Sequence, residues 1–133
     1  MSSELENAIL DLAQKHSTYR PNAYRFTLDA VRFTVESLGE ARHITGMELL
    51  DGIRKLALER FGPLAKTVLE QWGIRKTEDF GVIVFQLVDA GLLGKTERDQ
   101  LSDFARGYDF HEAFVRDFDW LDRIPRERPD SGA

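Results

Sequence analysis

The 133-residue chain is predicted to be a mainly α-helical single domain, on three observations. Between Thr45 and Gly94, three apolar-periodic segments follow one another, each closed by a glycine and each opened by a capping residue or a proline. Upstream, two further stretches carry apolar residues at helical spacing. Apolar residues make up 42% and charged residues 31% of the chain, with no long apolar run and no repeat of fixed period, the balance of a globular protein.

The first helix runs from Ser3 to about Lys15, with Ser3 and Glu6 in capping-box relation and Ile9, Leu10, Leu12 and Ala13 as its apolar surface. Pro21 breaks the chain, Asn22 caps, and a second helix continues to about Leu38 before Gly39. Two stripes, Tyr24–Leu28–Val31–Val35–Leu38 and Phe26–Ala30–Phe33, cover more than half of its circumference. A helix so wrapped must touch more than one neighbour, and it is expected to lie across the central helices, reached through the connection Glu40 to Ile44.

The next helix opens at Thr45, with Glu48 placed to complete a capping box. Leu49, Ile53, Leu56 and Phe61 share a face, and Gly62 ends it. Pro63 starts another helix, where a first residue needs no N–H; its apolar face is Leu64, Val68, Leu69 and Trp72, stopped by Gly73 with Ile74 beyond. Thr77 is expected to cap the last of the three, with Glu78 and Asp79 in its first turn. Phe80, Ile83, Val84, Leu87 and Val88 face inward, and Gly91 ends the helix.

The helix from Pro63, the turn at Trp72-Gly73-Ile74 and the helix from Thr77 have the rhythm of a helix-turn-helix, and hence of a winged-helix-like centre over residues 45–104. Residues 92–104 fit two readings: a short β-hairpin, or a loop followed by one more short helix. Tyr108 to Val115 reads as a helix or a strand-to-helix passage. Six aromatic residues stand between Phe104 and Trp120, a density that either closes the core or leaves an anchor such as Trp120 for a partner. The domain is therefore placed at 1–122, with 123–133, which holds two prolines, as a disordered tail.

Charge is unevenly spread. Residues 1–76 hold 11 Lys and Arg against 10 Asp and Glu, whereas residues 77–122 hold 4 against 11, within a whole-chain net charge of −5. The acidic half includes the helix that a DNA-reading helix-turn-helix would insert into a groove. Its outward residues are expected to be Glu78, Asp79, Val82, Gln86 and Asp89, and three carboxylates facing phosphates would be repelled. Arg75 and Lys76, with Lys95 and Arg98 in the wing region, are the basic residues open to a DNA reading.

Signatures of catalysis are sparse. His16, His43 and His111 stand apart and form no HExxH-type spacing; His43 beside Thr45 fits a structural hydrogen bond, and His111 between Asp109 and Glu112 is a weak metal candidate. The acids at 117, 119 and 122 lack the glycine and closing glutamate of an EF-hand. There is no phosphate-binding loop and no nucleophile elbow, so no catalytic, cofactor or metal residue is assigned. The absence of cysteine excludes disulfides and fits a reducing, cytoplasmic setting, and Glu4 and Glu6 stand where a signal peptide would be basic.

The runs HITGMELLDGIRKLALERFGPLAKTVLEQWGI, KTEDFGVIVFQLVDAGLLGKTERDQLSDF and YDF resemble a small bacterial family of planctomycete and verrucomicrobial type, over about Tyr24 to Phe114. The resemblance implies a self-standing cytoplasmic domain and transfers no activity, cofactor or partner. The function expected from the residues is a non-enzymatic protein-interaction or regulatory module. Its acidic, aromatic C-terminal half would bind a protein or a second copy through Glu78, Asp79, Val82, Gln86, Asp89 and Trp120. A winged-helix DNA-binding regulator and a small enzyme using His43 or His111 stand as the alternatives.

Overall fold

A computed structural model describes residues 3–39, 44–94 and 113–114. It is mainly helical, and no strand occurs among the described residues. The order is α1 (Ser3–His16), α2 (Pro21–Leu38), α3 (Gly46–Phe61), a 3₁₀ turn (Gly62–Leu64), α4 (Ala65–Gln71) and α5 (Thr77–Asp89). None of the described helices is long and apolar enough to cross a membrane.

Several boundaries follow the local chemistry read from the sequence. Thr45 Oγ1 accepts from Glu48 N at 3.0 Å while Glu48 Oε1 accepts from Thr45 N at 2.9 Å, a complete capping box. At the end of α4, Gly73 N donates to Glu70 O and Ile74 N to Leu69 O, the paired bonds of a Schellman motif, with Gly73 at φ +95°. Gly91 N to Val88 O and Leu92 N to Leu87 O repeat the motif after α5, with Gly91 at φ +80°.

Three boundaries differ. The N-cap of α2 is Arg20, with Pro21 as the first helical residue; Asn22 instead accepts from Arg25 at 2.6 Å. Pro63 lies in the 3₁₀ turn, the α-helix begins at Ala65, and Leu64 is 62% exposed instead of joining an apolar face. The tight turn after Gly62 rotates Leu64 outward before the α-helical register is established. Thr77 is the first residue of α5 and is buried; Lys76 is the cap position, and the Asp79 carboxylate serves the backbone there.

The core gathers around α2, which packs against α1, α3 and α5, most extensively against α3. Phe26, 2% exposed, stacks at 5.9–6.5 Å from Phe61, Trp72 and Phe80, so one ring joins α2 to α3, α4 and α5. The second contact is a close crossing. Thr34, on α2, turns its hydroxyl back onto Ala30 O at 2.7 Å and lies against Gly52 of α3, where a Cβ would fall 1.9 Å from Thr34 Oγ1. All five residues expected on the inner face of α5 are buried, and Phe114, from the aromatic segment, is buried too, beside Ala113, whose carbonyl accepts from Arg54.

Residues 95–104 of the expected wing, the basic candidates Lys95 and Arg98, His43, His111, Trp120 and the 123–133 tail lie outside the described residues. Leu92 to Gly94 form no strand.

Candidate functional site

The helical wheel of α5 sorts the five residues expected on its outer side into two groups. Glu78, Val82 and Asp89 are exposed, Val82 by 42%. Asp79 and Gln86 are not outward: both are partly buried and tied to residues about 60 positions upstream. Asp79 Oδ1 accepts from the Tyr19 hydroxyl at 2.6 Å, while Oδ2 accepts from Arg75 N at 2.8 Å and Lys76 N at 3.1 Å. Gln86 Oε1 accepts from the Tyr24 hydroxyl at 2.5 Å. These two side chains are therefore structural latches between α5 and the start of α2, which corrects their reading as free surface.

The outer stripe gains one residue that the sequence reading omitted. Phe85, 40% exposed, falls between Val82 and Asp89, so Glu78, Val82, Phe85 and Asp89 follow at intervals of four, three and four along one face. Two carboxylates thus flank two apolar side chains, and α5 carries no Lys or Arg over its length. The wheel position of Phe85, seven residues after Glu78, is the signal that identifies it.

Beneath the latches, Tyr19 and Tyr24 meet edge to face at 6.4 Å, and both are buried. Burial pushes the Tyr24 phenol up to about 12. Burial, then the hydrogen bond to Asp79 and its negative charge, hold the Tyr19 phenol well above the ordinary range. Both groups are thus harder to ionise folded than unfolded, where tyrosine titrates near ~10. The stability they contribute is fully present below that value and is lost as pH rises, through about 12 for Tyr24 and higher for Tyr19. Of the three tyrosines, two are expected to give no phenolate absorbance until the chain unfolds in alkali. Ionisation of all three in a single step near pH ~10, with helical circular dichroism intact, would contradict this burial.

The second surface feature is a cleft where three helix ends meet. The α1–α2 connection docks on the α4–α5 turn: Arg20 N donates to Trp72 O at 3.0 Å, and the Thr18 carbonyl lies so close to Gly73 that a Cβ there would come within 2.5 Å of it. Above this junction opens a cleft of about 600 Å³, bordered by Gln14, Tyr19, Arg20, Glu70, Trp72 and Arg75. A neighbouring recess of about 310 Å³ shares Arg20 and Trp72 and reaches Arg25. Glu70 pairs with Lys66 at 2.8 Å and Arg25 pairs with Glu6, whereas Arg20 and Arg75 form no ion pair among the described residues.

Comparison with known proteins adds no relative. Neither a family model, nor a curated protein, nor a solved structure matches the chain. Among the described residues, no three His, Asp or Glu side chains are grouped so as to hold a metal ion.

Proposed function

We propose that the protein is a non-enzymatic interaction module that docks a protein partner on the outward face of α5. The observation carrying this reading is the stripe Glu78, Val82, Phe85 and Asp89, acidic at both ends and apolar in the middle. Its complement is a surface with Lys or Arg on either side of an apolar centre. Flanking charge of that kind steers encounter and sets register, while the apolar centre supplies the desolvated contact. The wider acidic excess of residues 77–122 supports the same polarity of partner. We place this activity in the cytoplasm, a reducing setting that a chain without cysteine fits.

The α4–turn–α5 arrangement keeps a second reading, a winged-helix DNA-binding regulator, in view through exposed Arg75 and Lys76 at the head of α5. The carboxylates on the outer stripe oppose it, since phosphate neutralisation supplies most non-specific affinity for DNA.

The test is recovery of a bound protein from lysate by the wild-type chain and by a Val82→Arg/Asp89→Lys variant. Asp89 lies in the last turn of α5, where a lysine suits the helix dipole, so the variant is expected to fold normally. The proposal expects a protein whose binding weakens about tenfold or more in the variant and weakens with salt. Equal recovery by both chains removes the stripe from the reading. Tight, steeply salt-dependent binding of arbitrary duplex DNA would favour the regulator instead.

A further inference from the structure

The cleft above the α1–α2 connection shares no residue with the outer stripe of α5 and has its own chemistry. From its two guanidinium groups, which form no ion pair among the described residues, and its size, we propose that it binds a phosphate-bearing small molecule, held by Arg20 and Arg75 against Trp72. Of the other charges nearby, Glu70 is matched by Lys66 and Arg25 by Glu6, while the Asp79 carboxylate oxygens accept from the Tyr19 hydroxyl and from the backbone of Arg75 and Lys76. Arg20 and Arg75 border the same cavity from two chain segments that the Arg20 N to Trp72 O bond and the Thr18–Gly73 contact hold in place. Planar guanidinium groups suit phosphate oxygens, which they bind in pairs of parallel hydrogen bonds. A doubly charged phosphate matches the summed charge of the two arginines.

Size and wall agree with such a ligand. About 600 Å³ falls within the usual range of small-molecule sites. The indole of Trp72 is half-buried, braced by Phe26 at 5.9 Å and Phe61 at 5.6 Å, and borders both the cleft and the adjoining recess. It offers a fixed apolar wall beside the charged groups. The first turn of α2, whose N-cap is Arg20, contains no acidic residue to repel an anion.

Calorimetric titration of the full chain with tripolyphosphate, ATP, adenosine and arbitrary duplex DNA tests the site. Tripolyphosphate and ATP are expected to bind, and adenosine is expected not to. Arg20→Ala and Arg75→Ala, both at exposed positions, should each weaken binding about tenfold or more, and Arg32→Ala, on the exposed side of α2, should leave it unchanged. Circular dichroism confirms that each variant is folded. Failure of both phosphate compounds to bind, equal loss in Arg32→Ala, adenosine binding as well as ATP, or duplex DNA bound through the same arginines in preference to tripolyphosphate would each overturn the proposal.

Discussion

Gly73→Ala is expected to lower stability by about 3–4 kcal/mol, the largest single-residue effect foreseen for this chain. Two costs coincide at this position. At φ +95° any L side chain meets the steric penalty of left-handed backbone, about 1–2 kcal/mol. The new methyl would also fall 2.5 Å from the Thr18 carbonyl and 3.3 Å from the Tyr19 ring, so the α1–α2 connection must lift from the turn it rests on. Lifting it disturbs the Arg20 to Trp72 bond and the Tyr19–Asp79 latch together. Gly91→Ala is the internal control, because Gly91 has a similar φ, +80°, within the same end motif and nothing within 4 Å of its Cβ position. That variant should cost about 1–2 kcal/mol. Denaturant midpoints for the pair separate backbone strain from the Thr18 contact, and equal losses would show that the contact carries no weight.

The second large effect is expected at Gly52. In the interior of a helix, glycine to alanine ordinarily stabilises by about 0.5–1 kcal/mol. Here the sign is reversed, because the added Cβ would sit 1.9 Å from Thr34 Oγ1 across the α2–α3 crossing. Separating two packed helices far enough to admit it costs about 2–3 kcal/mol, so a net loss of about 2 kcal/mol is expected. Thr34→Ala should largely rescue Gly52→Ala, since the nearest remaining atom, Thr34 Cβ, is 3.1 Å away. A double-mutant cycle should therefore show coupling of more than about 1 kcal/mol, and additive losses would mean that the helices already have room.

Both effects bear on what the sequence made legible. Helix ends were readable wherever the deciding atoms lie within one turn: the Thr45–Glu48 box and the glycine stops at Gly73 and Gly91 depend on neighbours in the chain. The inner face of α5 was readable for the same reason, from the spacing of Phe80, Ile83, Val84, Leu87 and Val88. What could not be read locally depends on partners far along the chain. Asp79 and Gln86 look like free surface on a helical wheel until Tyr19 and Tyr24, about 60 residues earlier, arrive to donate to them. Nothing beside Gly52 in the chain marks it as a crossing point, since Thr34, which lies against it, is 18 residues earlier on α2. Thr77 has the chemistry of a cap, but burial draws it into the helix and leaves Asp79 to serve the exposed backbone. Arg20 and Arg75 border one cleft only because two separate turns dock on each other.

The division of α5 into a latching side and a docking side is tested most directly by two aspartates ten positions apart. For Asp79→Ala and Asp89→Lys, both the denaturant midpoint and the affinity for the protein partner would be measured. Asp79 accepts three hydrogen bonds, so Asp79→Ala should reduce stability by about 2 kcal/mol or more, through loss of the Tyr19 latch and of the bonds to Arg75 and Lys76. Asp89→Lys should keep the wild-type midpoint and weaken the partner about tenfold or more. If Asp89→Lys instead unfolds the chain, or leaves the partner's affinity as it was, the outer stripe is not the docking face.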